Sequence, residues 1–181
     1  MTEQMATTTE TAAGPGRLEA IPLRRALTDL RELLASSLEA LADQAARLDI
    51  EFRIHTTDEV PPAARIDPEK IAWAIATLAG NALRYTRPGT RLMPGGSIHV
   101  YLDYAPGTGE VILSVQDDGP GIPEDKVPWL FQRATGKTHA AGLGLKLIHD
   151  VVTAHGGSID VDSRTEGFEH GTSITLRIPA R

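Results

Sequence analysis

The sequence predicts a two-layer α/β sandwich in which one mixed β-sheet is covered on one face by three helices, and three observations predict it. Leu23, Leu27, Leu30, Leu34, Leu38, Leu41, Ala45 and Leu48 step by three or four, the spacing of a long amphipathic helix whose apolar stripe packs on a core. Ile98 to Tyr104 and Val111 to Val115 read as two strands, separated by Ala105 to Glu110, where Pro106-Gly107 and Gly109 suit a hairpin turn. Ile159 to Asp162 and Ile174 to Ile178 add a last pair with alternating apolar residues, so a sheet with one covered face accounts for the second half of the chain.

Taken in order, residues 1–16 are rich in Thr, Ala, Glu and Gly and bury little, which predicts a disordered N-terminal tail before one domain over 17–181. After the long helix, Phe52 and Ile54 mark a strand. Asp67-Pro68-Glu69 then starts a second helix, with Asp as N-cap and Pro in the first turn. Ile71, Ile75, Leu78 and Ala82 form its core stripe, which places Thr77, Asn81, Arg84 and Tyr85 together on a neighbouring face. Ala141-Gly142-Leu143-Gly144-Leu145 leads into a third helix through Lys146, Leu147, Ile148, Val151 and Val152, and His155 closes it, where partial positive charge is favourable. No internal repeat occurs, and no region is long enough for a second domain.

Composition excludes several classes. At 181 residues, 41% hydrophobic and 23% charged, the chain can bury one core but hardly two. A net charge of −6 argues against general binding to nucleic acid or to anionic membranes, despite the local pair Arg24-Arg25. The absence of cysteine fits a reducing cytosol and leaves no disulfide framework. No apolar run approaches the roughly 18 residues of a membrane span, and the N-terminus lacks a signal pattern, so the expectation is a cytoplasmic chain without membrane contact.

Four segments carry chemistry. Asp117-Asp118-Gly119-Pro120-Gly121-Ile122-Pro123 follows the apolar run Val111 to Val115 and presents a carboxylate beside bare backbone. Such a carboxylate accepts a hydrogen bond from an exocyclic amine, while the glycines let a flat ligand approach the main chain, a combination that suits an adenine pocket. On the helix face, an amide oxygen at Asn81 suits Mg²⁺ among waters and phosphate oxygens, Arg84 suits a phosphate, and Tyr85 suits a purine ring. The glycines from Gly142 open a helix whose free N–H groups and dipole favour phosphate. Gly171-Thr172, before the alternating strand Ser173 to Pro179, offers a hydroxyl to share a water or an adenine edge with Asp117. Taken singly, each segment has an ordinary structural use as a turn, a solvated helix face or a glycine-rich loop.

In this order the residues resemble the ATP-binding domain of sensor histidine kinases, within the superfamily that also holds gyrase-type ATPases, Hsp90-type chaperones and anti-sigma kinases. Asn81-Ala82-Leu83-Arg84-Tyr85-Thr86 is similar to the N box, Asp117 to Pro123 to the first glycine box, Trp129-Leu130-Phe131-Gln132-Arg133 to the F box, and Gly142-Leu143-Gly144-Leu145 to the second glycine box. His155-Gly156-Gly157-Ser158-Ile159 followed by Gly171-Thr172 is also typical of histidine kinases. The resemblance covers nearly the whole chain and implies the Bergerat ATP-binding fold, with ATP and Mg²⁺ as cofactors. It implies that Asp117 binds the adenine amine, Asn81 coordinates Mg²⁺, Arg84 contacts phosphate and Tyr85 flanks the base. Gly119, Gly121, Ile122, Gly142, Leu143, Gly144, Leu145 and Thr172 would shape the pocket. Phe131 would anchor one end of a nucleotide-covering lid running to Gly142, with Lys137, Thr138 and His139 near the phosphates.

Two positions depart from that pattern. Thr77 stands one helical turn before Asn81, where histidine kinases usually have Asn, and Ala140 replaces the first glycine of the second box. Of the six histidines none has the setting of a phosphoacceptor: His149-Asp150 lies inside the helix after the second glycine box, and His55, His99 and His170 show no metal or general-base spacing. The dimerising hairpin that carries the acceptor in such kinases has no counterpart here. The resemblance therefore implies phosphoryl transfer to a histidine on a separate domain or partner chain, upstream of a response regulator. This would make the chain either a catalytic fragment or a free-standing protein. The other readings are a nucleotide-gated binding module without transfer activity, which Thr77 and Ala140 would suit, and an anti-sigma-type serine kinase, which lacks its Glu at position 77.

Overall fold

A computed structural model describes residues 21–131, 140–167 and 170–181. Its centre is a five-stranded mixed sheet of β2 (Glu51–Thr56), β4 (Ser97–Ala105), β5 (Glu110–Asp117), β7 (Gly171–Pro179) and β6 (Ser158–Arg164), in that spatial order. The β2–β4 pair is parallel and the other three pairs are antiparallel. Helices α1 (Leu30–Arg47), α2 (Pro68–Tyr85) and α3 (Ala140–Ala154) supply the other layer. Side chains alternate across a strand, so Ile98, Val100 and Leu102 of β4, Val111, Leu113 and Val115 of β5, and Ile174, Leu176 and Ile178 of β7 all face the helices and are buried. They meet Leu34 and Leu38 of α1, Ile71, Ile75 and Leu78 of α2, and Ile148 and Val152 of α3 in one core.

The long first helix is shorter than its leucine spacing predicts. Ala26–Thr28 forms β1, paired antiparallel with β3 (Ala64–Ile66), and Asp29 then caps α1 by accepting from the N–H groups of Arg31 and Glu32. Leu27 keeps the helical spacing yet is 76% exposed, so it belongs to no core stripe. The three-residue β3 has no strand signal of its own; it exists because β1 supplies its hydrogen-bond partners. At the other end of the chain, α3 begins at Ala140 and contains Gly142 and Gly144 rather than following them. Asp117, expected just past its strand, is the last paired residue of β5, opposite Ile98 on one side and Thr172 on the other.

A buried polar knot joins the starts and ends of these elements. Asp67 is the N-cap of α2 and 1% exposed. Its carboxylate accepts from the Arg24 N–H at 2.8 Å, from the Lys70 N–H at 3.1 Å and from Lys70 Nζ at 2.9 Å. Burial alone would raise its pKa, but the hydrogen bonds from Arg24 and Lys70 outweigh that and hold it at about 2. The Asp67 N–H donates to His155 Nε2 at 3.0 Å, so the imidazole proton sits on Nδ1 and donates to the Val151 carbonyl at 2.8 Å. His155 does close α3 as expected, but as a neutral ring: burial lowers its pKa, and a second proton would face the Asp67 N–H.

Candidate functional site

Asp117 stands where β5 leaves the sheet, on the helix-facing side in the same row as Val111, Leu113 and Val115. Its Oδ1 accepts the Gly119 N–H at 2.9 Å. Burial raises the Asp117 pKa most, the backbone donors at Gly119 and Thr172 oppose that, and the Asp118 charge adds to it. An ionised carboxylate has about four acceptor positions, and two backbone donors leave part of that capacity for a ligand amine. The turn after it needs its glycines. A Cβ at Gly119 would lie 2.7 Å from Asp117 Oδ1 and 3.2 Å from the Tyr85 carbonyl oxygen. Gly121 has φ +72°, and a Cβ there would lie 2.1 Å from the Arg164 carbonyl oxygen.

Helix α2 packs on β5 and on α3 and brings the other motifs to this turn. At its C-terminal end the Tyr85 main chain abuts Gly119, and about two turns earlier Thr77 Cγ2 lies 3.4 Å from where a Cβ of Gly144 would stand. The polar face of α2 therefore runs between the first glycine box and the start of α3. Thr77 and Asn81 are partly exposed, and among the described residues neither side chain has a hydrogen-bond partner; Arg84 and Tyr85 are exposed. An amide oxygen free to ligate suits a hard cation with oxygen ligands, so the donor set fits Mg²⁺ at Asn81.

Several supports of the site stand outside the four motifs. Ser163 Oγ accepts the Ile122 N–H at 2.7 Å and lies 2.9 Å from Thr172 Oγ1, so the Thr172 hydroxyl is already engaged beside Asp117. His170 Nδ1 lies 2.6 Å from the Gly119 carbonyl oxygen and donates to it. Asp118 binds back to the sheet, accepting the Ser97 N–H at 2.9 Å. Ser163 was detectable, because it occupies the helix-facing row of β6 with Ile159 and Val161, a polar residue where the alternation calls for an apolar one.

Of the remaining expected residues, Leu145 is buried in the core, and Gly142 and Leu143 lie in the first turn of α3. Phe131 is partly buried, and its ring centroid lies 5.7 Å from that of His149 on α3, so that histidine has a packing role. Lys137, Thr138 and His139, with Gln132, Arg133 and Gly136, lie outside the described residues.

Residues 66–181 match the family described as histidine kinase-, DNA gyrase B-, and HSP90-like ATPase. The chain is 32% identical to the signal transduction histidine-protein kinase AfsQ2 of Streptomyces coelicolor over 83% of its own length and 26% of that protein's. It is also 32% identical to the sensor histidine kinase ZraS of Escherichia coli, over 83% of this chain and 30% of ZraS. It thus spans about a third or less of those relatives. Among solved structures it is similar to full-length ShkA in complex with AMPPNP, at a TM-score of 0.74 and 27% identity over 88% of this chain and 32% of that one. The catalytic domain of histidine kinase ThkA, nucleotide-free, gives 0.72 and 25% over 87% of this chain and 97% of that one. The fold is that of the histidine kinase catalytic domain. The chain belongs to the histidine kinase-, DNA gyrase B-, and HSP90-like ATPase family.

Proposed function

We propose that the chain is the ATP-binding catalytic part of a two-component sensor histidine kinase, and that it passes the γ-phosphoryl group of ATP to a histidine on a separate domain or partner chain, with a response regulator downstream. The observation that carries this reading is Asp117, a half-buried carboxylate with spare acceptor capacity at the mouth of a glycine turn that the end of α2 abuts. In this reading residues 17–181 form one working unit. Asp117 accepts from the adenine amine, Gly119 and Gly121 let the base approach the main chain, and Tyr85 covers the base. Arg84 meets phosphate, and the first turn of α3 offers its N–H groups to the phosphate chain.

Asn81 would hold Mg²⁺, which when bound neutralises charge between phosphoryl oxygens. The protein's own share is positioning: α2, β5 and α3 fix the nucleotide so that an incoming imidazole meets the terminal phosphorus in line. Among the described residues no helix is long and apolar enough to cross a membrane. Calorimetric titration with ATP and ADP, with and without Mg²⁺, tests the proposal. Magnesium-linked ATP binding is expected, with the linkage lost in Asn81→Ala; no ATP binding would overturn the reading.

A further inference from the structure

Helices cover one face of the sheet, and the other face carries chemistry that the nucleotide site does not use. Alternation puts Arg53 and His55 of β2, Ser97, His99 and Tyr101 of β4, Gln116 of β5, Ser173 of β7 and Asp162 of β6 on that open face. A depression of about 510 Å³ runs from Asp117 and Thr172 round the end of the sheet to Gln116, His99 and Tyr101 on that face. At its edge stand two histidines with no role in the proposed function. In the parallel β2–β4 register His99 lies opposite Arg53 and His55 opposite Tyr101, so the histidines are diagonal neighbours. Their side chains close that diagonal: His55 Nε2 and His99 Nδ1 are 3.0 Å apart, and the His55 ring stacks on Tyr101 with centroids 4.7 Å apart.

We propose that His55 Nε2 and His99 Nδ1 form a bidentate site for a divalent transition-metal ion, of the zinc or nickel class, on the open face of the sheet. A metal held by two imidazoles at about 2.0–2.1 Å, with the angle between octahedral and tetrahedral values, requires nitrogens about 2.9–3.4 Å apart. The observed 3.0 Å lies in that window, so an ion beside the N···N line can displace the proton between the rings once the imidazoles turn toward it, with neither strand moved. The His55 ring stacks on Tyr101, and strand register fixes both Cα positions. Imidazole nitrogen selects zinc, nickel or copper over magnesium and calcium, which separates this site from the oxygen donors around Asn81.

The neighbours permit a cation. Arg53, opposite His99, is engaged by Glu51, and Asp103, two residues beyond Tyr101, accepts from Thr57 and adds negative charge. Among the described residues no group of three or more His, Cys, Asp or Glu could hold a metal, so water completes the coordination shell. Binding would join β2, the edge strand, to β4 by a second link besides their main-chain ladder.

The test uses the whole chain, freed of metal by chelation and titrated with zinc chloride and with nickel chloride in the calorimeter. One equivalent is expected to bind, with a rise in melting temperature and with shifts of the His55 and His99 ring ¹⁵N resonances. Affinity should fall at least about tenfold in His55→Gln and again in His99→Gln, since each removes one of two ligands, while His149→Gln should bind as the parent does. Circular dichroism of the metal-free variants separates lost ligation from lost folding; where a glutamine variant is misfolded, the ring ¹⁵N shifts of the parent decide. No binding, ring resonances that do not move, or affinity that survives both substitutions would overturn the site.

Discussion

Replacing Asp117 with Asn separates a residue held for a ligand from one held for the fold. The two roles predict opposite behaviour. A carboxylate that stabilises the fold has its pKa depressed, whereas burial raises that of Asp117 above the ordinary 3.8. The sign follows from linkage: a folded-state pKa above the unfolded one means that the native state takes up the proton first. This group therefore adds stability as pH falls through the window just above 3.8, and its ionised form costs stability at pH 7. Asn keeps an oxygen to accept the Gly119 N–H and drops the charge. The unfolding free energy of Asp117→Asn should thus stay within about 1 kcal/mol of the parent or exceed it. Binding should respond differently. A hydrogen bond to a charged group contributes about 1.5–3 kcal/mol, so ATP affinity should fall by about 10- to 150-fold. Urea unfolding and calorimetry on the same preparation read both quantities. Unchanged ATP affinity would refute the adenine role, and a loss of stability well beyond 1 kcal/mol would show that the carboxylate is a structural acceptor instead.

Asp67 should behave in the opposite way. Its pKa of about 2 against an ordinary 3.8 corresponds to about 2 kcal/mol, present above pH 3.8 and lost as pH falls toward 2. Asp67→Asn should lower the melting temperature by about 5–10 °C and flatten the acid limb of the stability profile; a calorimetric scan at neutral pH within 1 °C of the parent would contradict it. His155, held neutral by burial, gives stability that is present above its unfolded value of 6.5 and lost as pH falls below it. In His155→Gln the slope of unfolding free energy between pH 7 and pH 5 should be shallower than in the parent, and an unchanged slope would assign that pH dependence elsewhere. Gly121→Ala, at φ +72° with the Arg164 carbonyl in the way, should cost about 1–3 kcal/mol and weaken ATP binding by displacing the turn, both read by urea titration and calorimetry.

Elements defined by local pattern were legible, and those defined by partners were not. The second helix announces itself through Asp67-Pro68 and the stripe Ile71, Ile75, Leu78 and Ala82, because cap chemistry and 3.6-residue spacing both act within a few residues. The β4–β5 hairpin is equally local, its turn carried by Pro106, Gly107 and Gly109. By contrast, Leu23 and Leu27 continue the leucine spacing of α1 into a segment that forms β1, and the deciding group is β3, about forty residues away. Helical spacing is a statement about one chain segment, and a distant strand that offers a full set of hydrogen bonds outweighs it.

The same division holds at the site. Asp117, Asn81 and the glycines are conspicuous in sequence because each sits in a short motif whose chemistry is recognisable alone. Their supports are conspicuous only in space. Ser163 secures the Ile122 N–H from a strand 41 residues away, and His170 secures the Gly119 carbonyl from 51 residues away. Neither residue type has a spacing rule that points to the glycine turn. What aligns them is antiparallel register: Asp117 opposite Thr172 and Thr172 opposite Ser163 form one helix-facing row across three strands, β5, β7 and β6, and a one-residue slip of β7 would turn Thr172 to the open face. The apolar alternation of β7, buried at Ile174, Leu176 and Ile178, prevents that slip. The hydrophobic pattern that builds the core therefore also delivers Thr172 and Ser163 to the carboxylate, so the position of the site is as firmly specified as the core itself.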